Sequence, residues 1–197
     1  MRTKISNQNS KLGKIPNISL TPIKSCVNCK ECKKSCYALK AYRMYPNVRN
    51  AWDVNLDMAR NNHTEFFNDI NTFIAKKKPS FFRWHVAGDI LGTSYLTSMI
   101  VLATNNPTTK FLAFTKNHKV INDYLASGRF PDNFTVIMSG WPKMMMDNPY
   151  DLPVAWLQDG TETRVPKTAI NCPGKCDACG MCWELPKLNK DVVFNIH

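Results

Sequence analysis

Eight cysteines stand in two short runs, CVNCKECKKSC at 26–36 and CPGKCDACGMC at 172–182, and none lies outside them. Cys26, Cys29, Cys32 and Cys36 are spaced C-x2-C-x2-C-x3-C; Cys172, Cys176, Cys179 and Cys182 are spaced C-x3-C-x2-C-x2-C. Loops of two or three residues strain a disulfide, so thiols this close read as metal ligands. Three or four thiols in one run suit an iron–sulfur cube, because successive thiolates can each meet a different iron. Four-cysteine zinc sites more often draw two C-x2-C pairs from two places. Pairing Cys26 and Cys29 with Cys179 and Cys182 would serve one zinc ion but leave Cys32, Cys36, Cys172 and Cys176 as an awkward second set. The expected cofactor is a [4Fe–4S] cluster, one or two per chain, with zinc as the alternative. Cys172, Cys176 and Cys179 also reproduce the C-x3-C-x2-C spacing of radical S-adenosylmethionine enzymes. In those enzymes the motif follows the first strand and an aromatic precedes the last cysteine; here it comes late, and Ala178 holds that place.

Other residues of chemical interest are His85, which alternates with Arg83 along an apolar stretch, Asp89, Lys116 and His197. His85 could face a pocket beside a cluster, or be a packed histidine in a satisfied hydrogen bond. Asp89 follows glycine, so it is a turn residue or the orienter of a ligand. Lys116 is an anchor for an anionic substrate or a solvated surface cation. His197 could ligate metal through its ring or carboxylate. No glycine-rich phosphate loop and no nucleophile–base pattern is present, so no catalytic residue is assigned.

The net charge of +11 is unevenly placed: residues 1–50 hold 11 Lys and Arg against one acid, Glu31, and the remainder 15 basic against 14 acidic. Two four-thiolate clusters would offset about 4 of those charges, leaving a surplus that fits an anionic partner. Nucleic acid bound through residues 1–50 is one such partner, and an unidentified redox partner or substrate is another. No signal peptide and no apolar run of membrane-spanning length is found, so a soluble cytoplasmic protein with no membrane partner is expected.

These groups need a scaffold, and 197 residues with 44% hydrophobic side chains can supply a real core. Residues 1–25 read as an extended basic arm leading into the first run, in a single domain over 1–197. Apolar residues at helical spacing from Pro46 to about Lys78, interrupted at Asn61–Asn62, predict two helices. Strands are predicted at 81–89, 110–116, 134–141, 154–160 and 191–197, with helices at 94–106 and 118–127 between them. Alternation of this kind gives a mostly parallel sheet with flanking helices. Five or six strands cannot close an eight-stranded barrel, so an incomplete or open barrel is expected. Asp89, Lys116, Ser139-Gly140-Trp141 and Asp159 fall at the carboxyl ends of strands, where such folds build their sites. KMMMDNP (143–149) reads as a surface loop or lid.

Taken together, CKKSCYA (32–38), RWHVAGDI (83–90) with the SYL after it, FLAFTK (111–116), CDACGMCW (176–183) and VVFNIH (192–197) resemble the phage-encoded gene product 88 family, from about Cys26 to His197. The resemblance implies a viral protein acting in a host cytoplasm, with a cysteine-bound iron–sulfur centre on a radical-enzyme-like α/β scaffold. It brings no established reaction. The expected function is electron transfer or redox chemistry; the alternatives are a radical S-adenosylmethionine-like enzyme and a zinc-bound nucleic-acid-binding module. Tyr37 and Trp183, next to ligands, are expected to shield a cluster from water, and Lys30, Lys33 and Lys34 to raise its potential.

Overall fold

The structure is a computed structural model and describes residues 2–195. Pro46 sits in the first turn of a 16-residue helix, where its missing N–H costs nothing. The helix ends at Asn61, and Asn62 closes it and opens the next. That second helix stops where Lys78 turns left-handed just before Pro79. In chain order the elements are β1 (Asn17–Ile18), α1 (Tyr37–Met44), α2 (Pro46–Asn61), α3 (His63–Lys77), β2 (Phe81–Trp84), α4 (Thr93–Asn105), β3 (Lys110–Thr115) and α5 (His118–Leu125). There follow β4 (Phe134–Gly140), β5 (Val154–Gln158), β6 (Ile170–Asn171), α6 (Cys176–Cys179), a 3₁₀ turn at Met181–Trp183, α7 (Leu185–Leu188) and β7 (Val192–Asn195). No helix among the described residues is long and apolar enough to cross a membrane.

All seven strands pair in parallel, in the order β1-β2-β3-β4-β5-β7-β6, and the sheet stays open. The α/β architecture and open sheet are those predicted. Two strands were not foreseen. β1 and β6, two residues each, are the two edges, and such short edges offer little for another chain to pair with. β1 lies in the basic arm. Asn55 holds that arm against α2, taking the Lys4 N–H and donating to the Lys4 and Ser19 carbonyls.

The two faces of the sheet carry different cores. Phe82, Trp84, Phe111, Ala113, Val136, Met138, Val154, Trp156 and Val193 face α2 to α5, against Leu56, Phe66, Ile70, Tyr95, Met99 and Ile121. The alternate residues Leu112, Ile137, Ala155 and Val192 face away from those helices. They are covered by Leu12 and Ile15 of the arm and by Trp183 and Leu185 from the carboxyl-terminal segment. Central β4 is buried along its whole length, as expected of a strand covered on both sides.

Candidate metal centre

Each edge strand feeds one cysteine run. The chain leaves β1, turns at Thr21–Ser25 and enters the first run, which lies over the carboxyl ends of β2 and β3. Asn28 donates to the Lys116 carbonyl there at 3.0 Å. Cys32 is buried and Cys26, Cys29 and Cys36 are half-buried. At the opposite edge Cys172 follows β6 directly, its N–H bonded to the Val193 carbonyl at 3.0 Å. The chain then crosses the face of the sheet turned away from α2 to α5. Cys176 donates its N–H to Lys11 of the arm at 2.9 Å, and Trp183 Nε1 donates to the Lys110 carbonyl at 3.1 Å. The Trp183 carbonyl accepts from Thr135, and its ring lies 4.9 Å from that of Phe81. Trp183 is buried; Tyr37, the other expected shield, is 69% exposed, because only its hydroxyl turns inward, to the Val86 carbonyl.

All eight thiols are free. Cys172, Cys176, Cys179 and Cys182 together line a small hollow of about 20 Å³ that opens to solvent, walled by Trp183, Leu185 and Val192. Among the described residues no three Cys, His, Asp or Glu side chains are gathered tightly enough to hold a single metal ion. Burial pushes the Cys26 thiol up to about 11 and the Cys182 thiol up to about 12, and raises Cys32 and Cys176 as well. The charges acting on Cys26 and Cys32 are Lys116 and other first-run thiols, with Asp89 at Cys26. Those acting on Cys176 and Cys182 are Arg83 and other second-run thiols, with Lys11 at Cys176. The chain thus keeps its thiols as two separate sets of four.

Arg83 stands between the sets. It lies on the side of β2 turned away from α2 to α5, half-buried, its guanidinium 3.8 Å from the Phe114 ring centroid and its Nε donating to the Trp84 carbonyl. Phe114 packs in the same cluster as Cys172, Cys176 and Cys182. Burial lowers the Arg83 pKa, while Tyr37 from the side of the first run and thiolate charge on Cys182, Cys176 and Cys172 would act against that. No carboxylate lies within 4 Å of Arg83 among the described residues. Sequence reading passed over it, although an arginine inside an apolar strand of a parallel sheet is itself a signal.

The other candidates separate. His85 does not continue the alternation with Arg83: β2 ends at Trp84, and His85 takes a left-handed φ of 51°. Its ring joins the helix-side core, with Nε2 3.1 Å from the Tyr95 hydroxyl and Nδ1 unpartnered. Burial, helped by Arg83, lowers its pKa to about 3, so it is neutral. Asp89 is a buried clasp that accepts from Ile90 N–H at 2.7 Å, Thr115 Oγ1 at 2.5 Å and Lys116 N–H at 2.9 Å. Burial still raises its pKa. Lys116 is half-buried rather than fully solvated, its Nζ 5.2 Å from the Trp141 ring centroid. Lys116 is the cation acting on Cys26 and Cys32, while Lys30, Lys33 and Lys34 are exposed. His197 lies outside the described residues.

The donors are two runs of four soft thiols, a chemistry that would suit an iron–sulfur cluster or zinc, and one run lines a hollow rather than meeting at a point. No curated protein and no solved structure matches the chain. The Gene product 88 family matches residues 2–185, beginning within the arm, taking in both cysteine runs and ending before β7. Over that length, with both runs inside it, the chain belongs to the Gene product 88 family.

Proposed function

We propose that the protein is an iron–sulfur protein holding a [4Fe–4S] cluster in each cysteine run, and that it transfers electrons. The observation that carries this reading is the half-buried Arg83, which has no carboxylate partner within 4 Å among the described residues and packs on Phe114 beside Cys172, Cys176 and Cys182, three of the four thiols that line one hollow. A guanidinium withdrawn from water is costly unless an anion answers it. Four thiolates around a [4Fe–4S]²⁺ core leave about −2, which would answer it. Such a cluster supplies a centre that gains and loses one electron.

The chain's own residues do the rest. Cys26, Cys29, Cys32 and Cys36 would ligate at the first site, with Lys116 as the nearby cation. Cys172, Cys176, Cys179 and Cys182 would ligate at the second, with Arg83 and Lys11. Trp183 and Leu185 are buried and wall the second site on its inner side, keeping water from that side. A radical S-adenosylmethionine enzyme needs one iron free of cysteine, yet Cys182 lines the same hollow as the C-x3-C-x2-C cysteines. The electron-transfer reading accounts for all four.

The test is anaerobic purification followed by iron, sulfide and zinc analysis per chain, the visible spectrum, and electron paramagnetic resonance after reduction. The expected result is a brown protein with about eight iron and eight sulfide. A colourless, zinc-loaded protein after attempted reconstitution would end the reading and favour a zinc-bound module binding nucleic acid through residues 1–50.

A further inference from the structure

Beside the second cysteine run lies a groove at the amino-terminal edge of the sheet, between the arm, the end of α3 and α6. Its apolar floor is Phe73, Pro79 and Phe81, and Lys14 and Lys77 stand on its rim. Phe81 also touches the wall of the second thiol site through Trp183. Asp177, between Cys176 and Cys179, is the one acid lining the groove. Lys76, Lys78 and Lys175 flank it in sequence, and all five lysines are exposed. None of the five makes an ion pair within 4 Å among the described residues. A basic rim around an apolar floor suits a small, transient interface, in which charge steers the encounter and a modest apolar patch seats it.

We propose that this groove docks an acidic one-electron carrier protein, which exchanges its electron with the second thiol site; this rests on the iron–sulfur reading. One electron leaves the reduced carrier and one arrives at the second site; no bond forms or breaks and no proton moves. Its place beside α6, with Phe81 against Trp183 of the second thiol site, favours a redox partner; a single strand stacking its bases on Phe73 and Phe81 between the lysines is the competing occupant.

The experiment uses the full chain and an acidic plant-type ferredoxin as probe. Binding is followed by calorimetry at low and high salt, and the rate of electron transfer by stopped flow. The variant is Lys14→Glu with Lys77→Glu; the control, Arg129→Glu with Lys167→Glu, changes net charge equally at exposed residues that do not line the groove. The expected result is binding that weakens with salt and falls about tenfold or more in the groove variant, with the control near wild type. The transfer rate should fall in parallel, while reduction by dithionite stays as in wild type. Equal losses in both variants, or none in either, would overturn the proposal. So would single-stranded DNA that displaces ferredoxin and loses affinity in the groove variant. Binding is measured whatever the iron content. Iron-free protein that still binds through these lysines fails the iron–sulfur reading, and iron-loaded protein indifferent to them fails only the docking proposal.

Discussion

Arg83 and His85, two residues apart, show how one strand end divides two tasks. Arg83 faces away from the helices with no carboxylate to neutralise it, so its value to the fold depends on negative charge at the thiols. Arg83→Gln should therefore leave the apo protein folded but lose about half the iron, that of the second set; Arg83→Lys should keep most of it. Metal analysis with circular dichroism of the apo forms decides this, and equal loss from both sites would refute the assignment. His85, on the helix side, carries no charge in the fold because burial lowers its pKa to about 3. In the unfolded chain it titrates near 6.5. Below that pH the unfolded state binds a proton that the folded state refuses, so stability falls as pH drops from about 6.5 towards 3, by up to about 1.4 kcal/mol per pH unit. Arg83 is the one charge acting on it. His85→Asn tolerates the left-handed backbone and should show a shallower acid slope in urea unfolding between about pH 7 and pH 4.5. Identical slopes would show that other groups carry the acid sensitivity.

At the level of elements, two glycines hold the two cysteine runs in place. Gly88 has φ 90°, and a methyl group there would meet Ser25 Oγ at 2.6 Å and Leu20 Cβ at 2.8 Å, pressing on the turn that delivers the first run. Gly13 has φ 60°, and a methyl group there would strike Asp177, whose Cβ would stand 2.8 Å away, inside the second run. Gly88→Ala should cost about 1–3 kcal/mol through strain and overpacking and reduce iron at the first site selectively. Gly13→Ala should act selectively on the second. Metal counts in these variants, each combined with Cys→Ser in the other run, would test the division. The sequence made the longer elements plain: Val48, Trp52, Leu56 and Ala59 mark α2 at helical spacing, and KFLAFT and FTVIMSG mark central strands. It did not show β1 or β6, because two-residue strands are too short for any alternation to appear. FFRWHVAGD reads as one strand, but His85 turns left-handed, which no side-chain pattern announces. The two cysteine runs stand out in the sequence by their spacing, and one or two clusters are equally compatible with it. Their partners, Arg83 and Lys116, do not stand out, because they come from strands remote in sequence that only pairing brings alongside.

For the whole molecule, the division into two cores separates stability from the proposed chemistry. The helix-side core runs from Ile18 to Val193 and contains no cysteine. The opposite core is smaller and has Cys172, Cys176 and Cys182 packed against it. Removing metal should therefore leave the first core standing and loosen the second, since local opening follows local contact density rather than global stability. In hydrogen exchange, apo protein should keep the amides of β3 and β4 protected. The segment Cys172–Leu188, which crosses the face turned away from α2 to α5, should exchange at least about tenfold faster than in loaded protein. The arm at Leu12–Ile15 should loosen with it, because Cys176 N–H bonds to the Lys11 carbonyl and Asp177 packs on Gly13. Loss of protection throughout β3 and β4 on metal removal would instead make the thiol sites part of the global fold. Unchanged exchange across 172–188 would mean that the segment is held by Trp183 and Leu185 alone, with metal contributing nothing to its order.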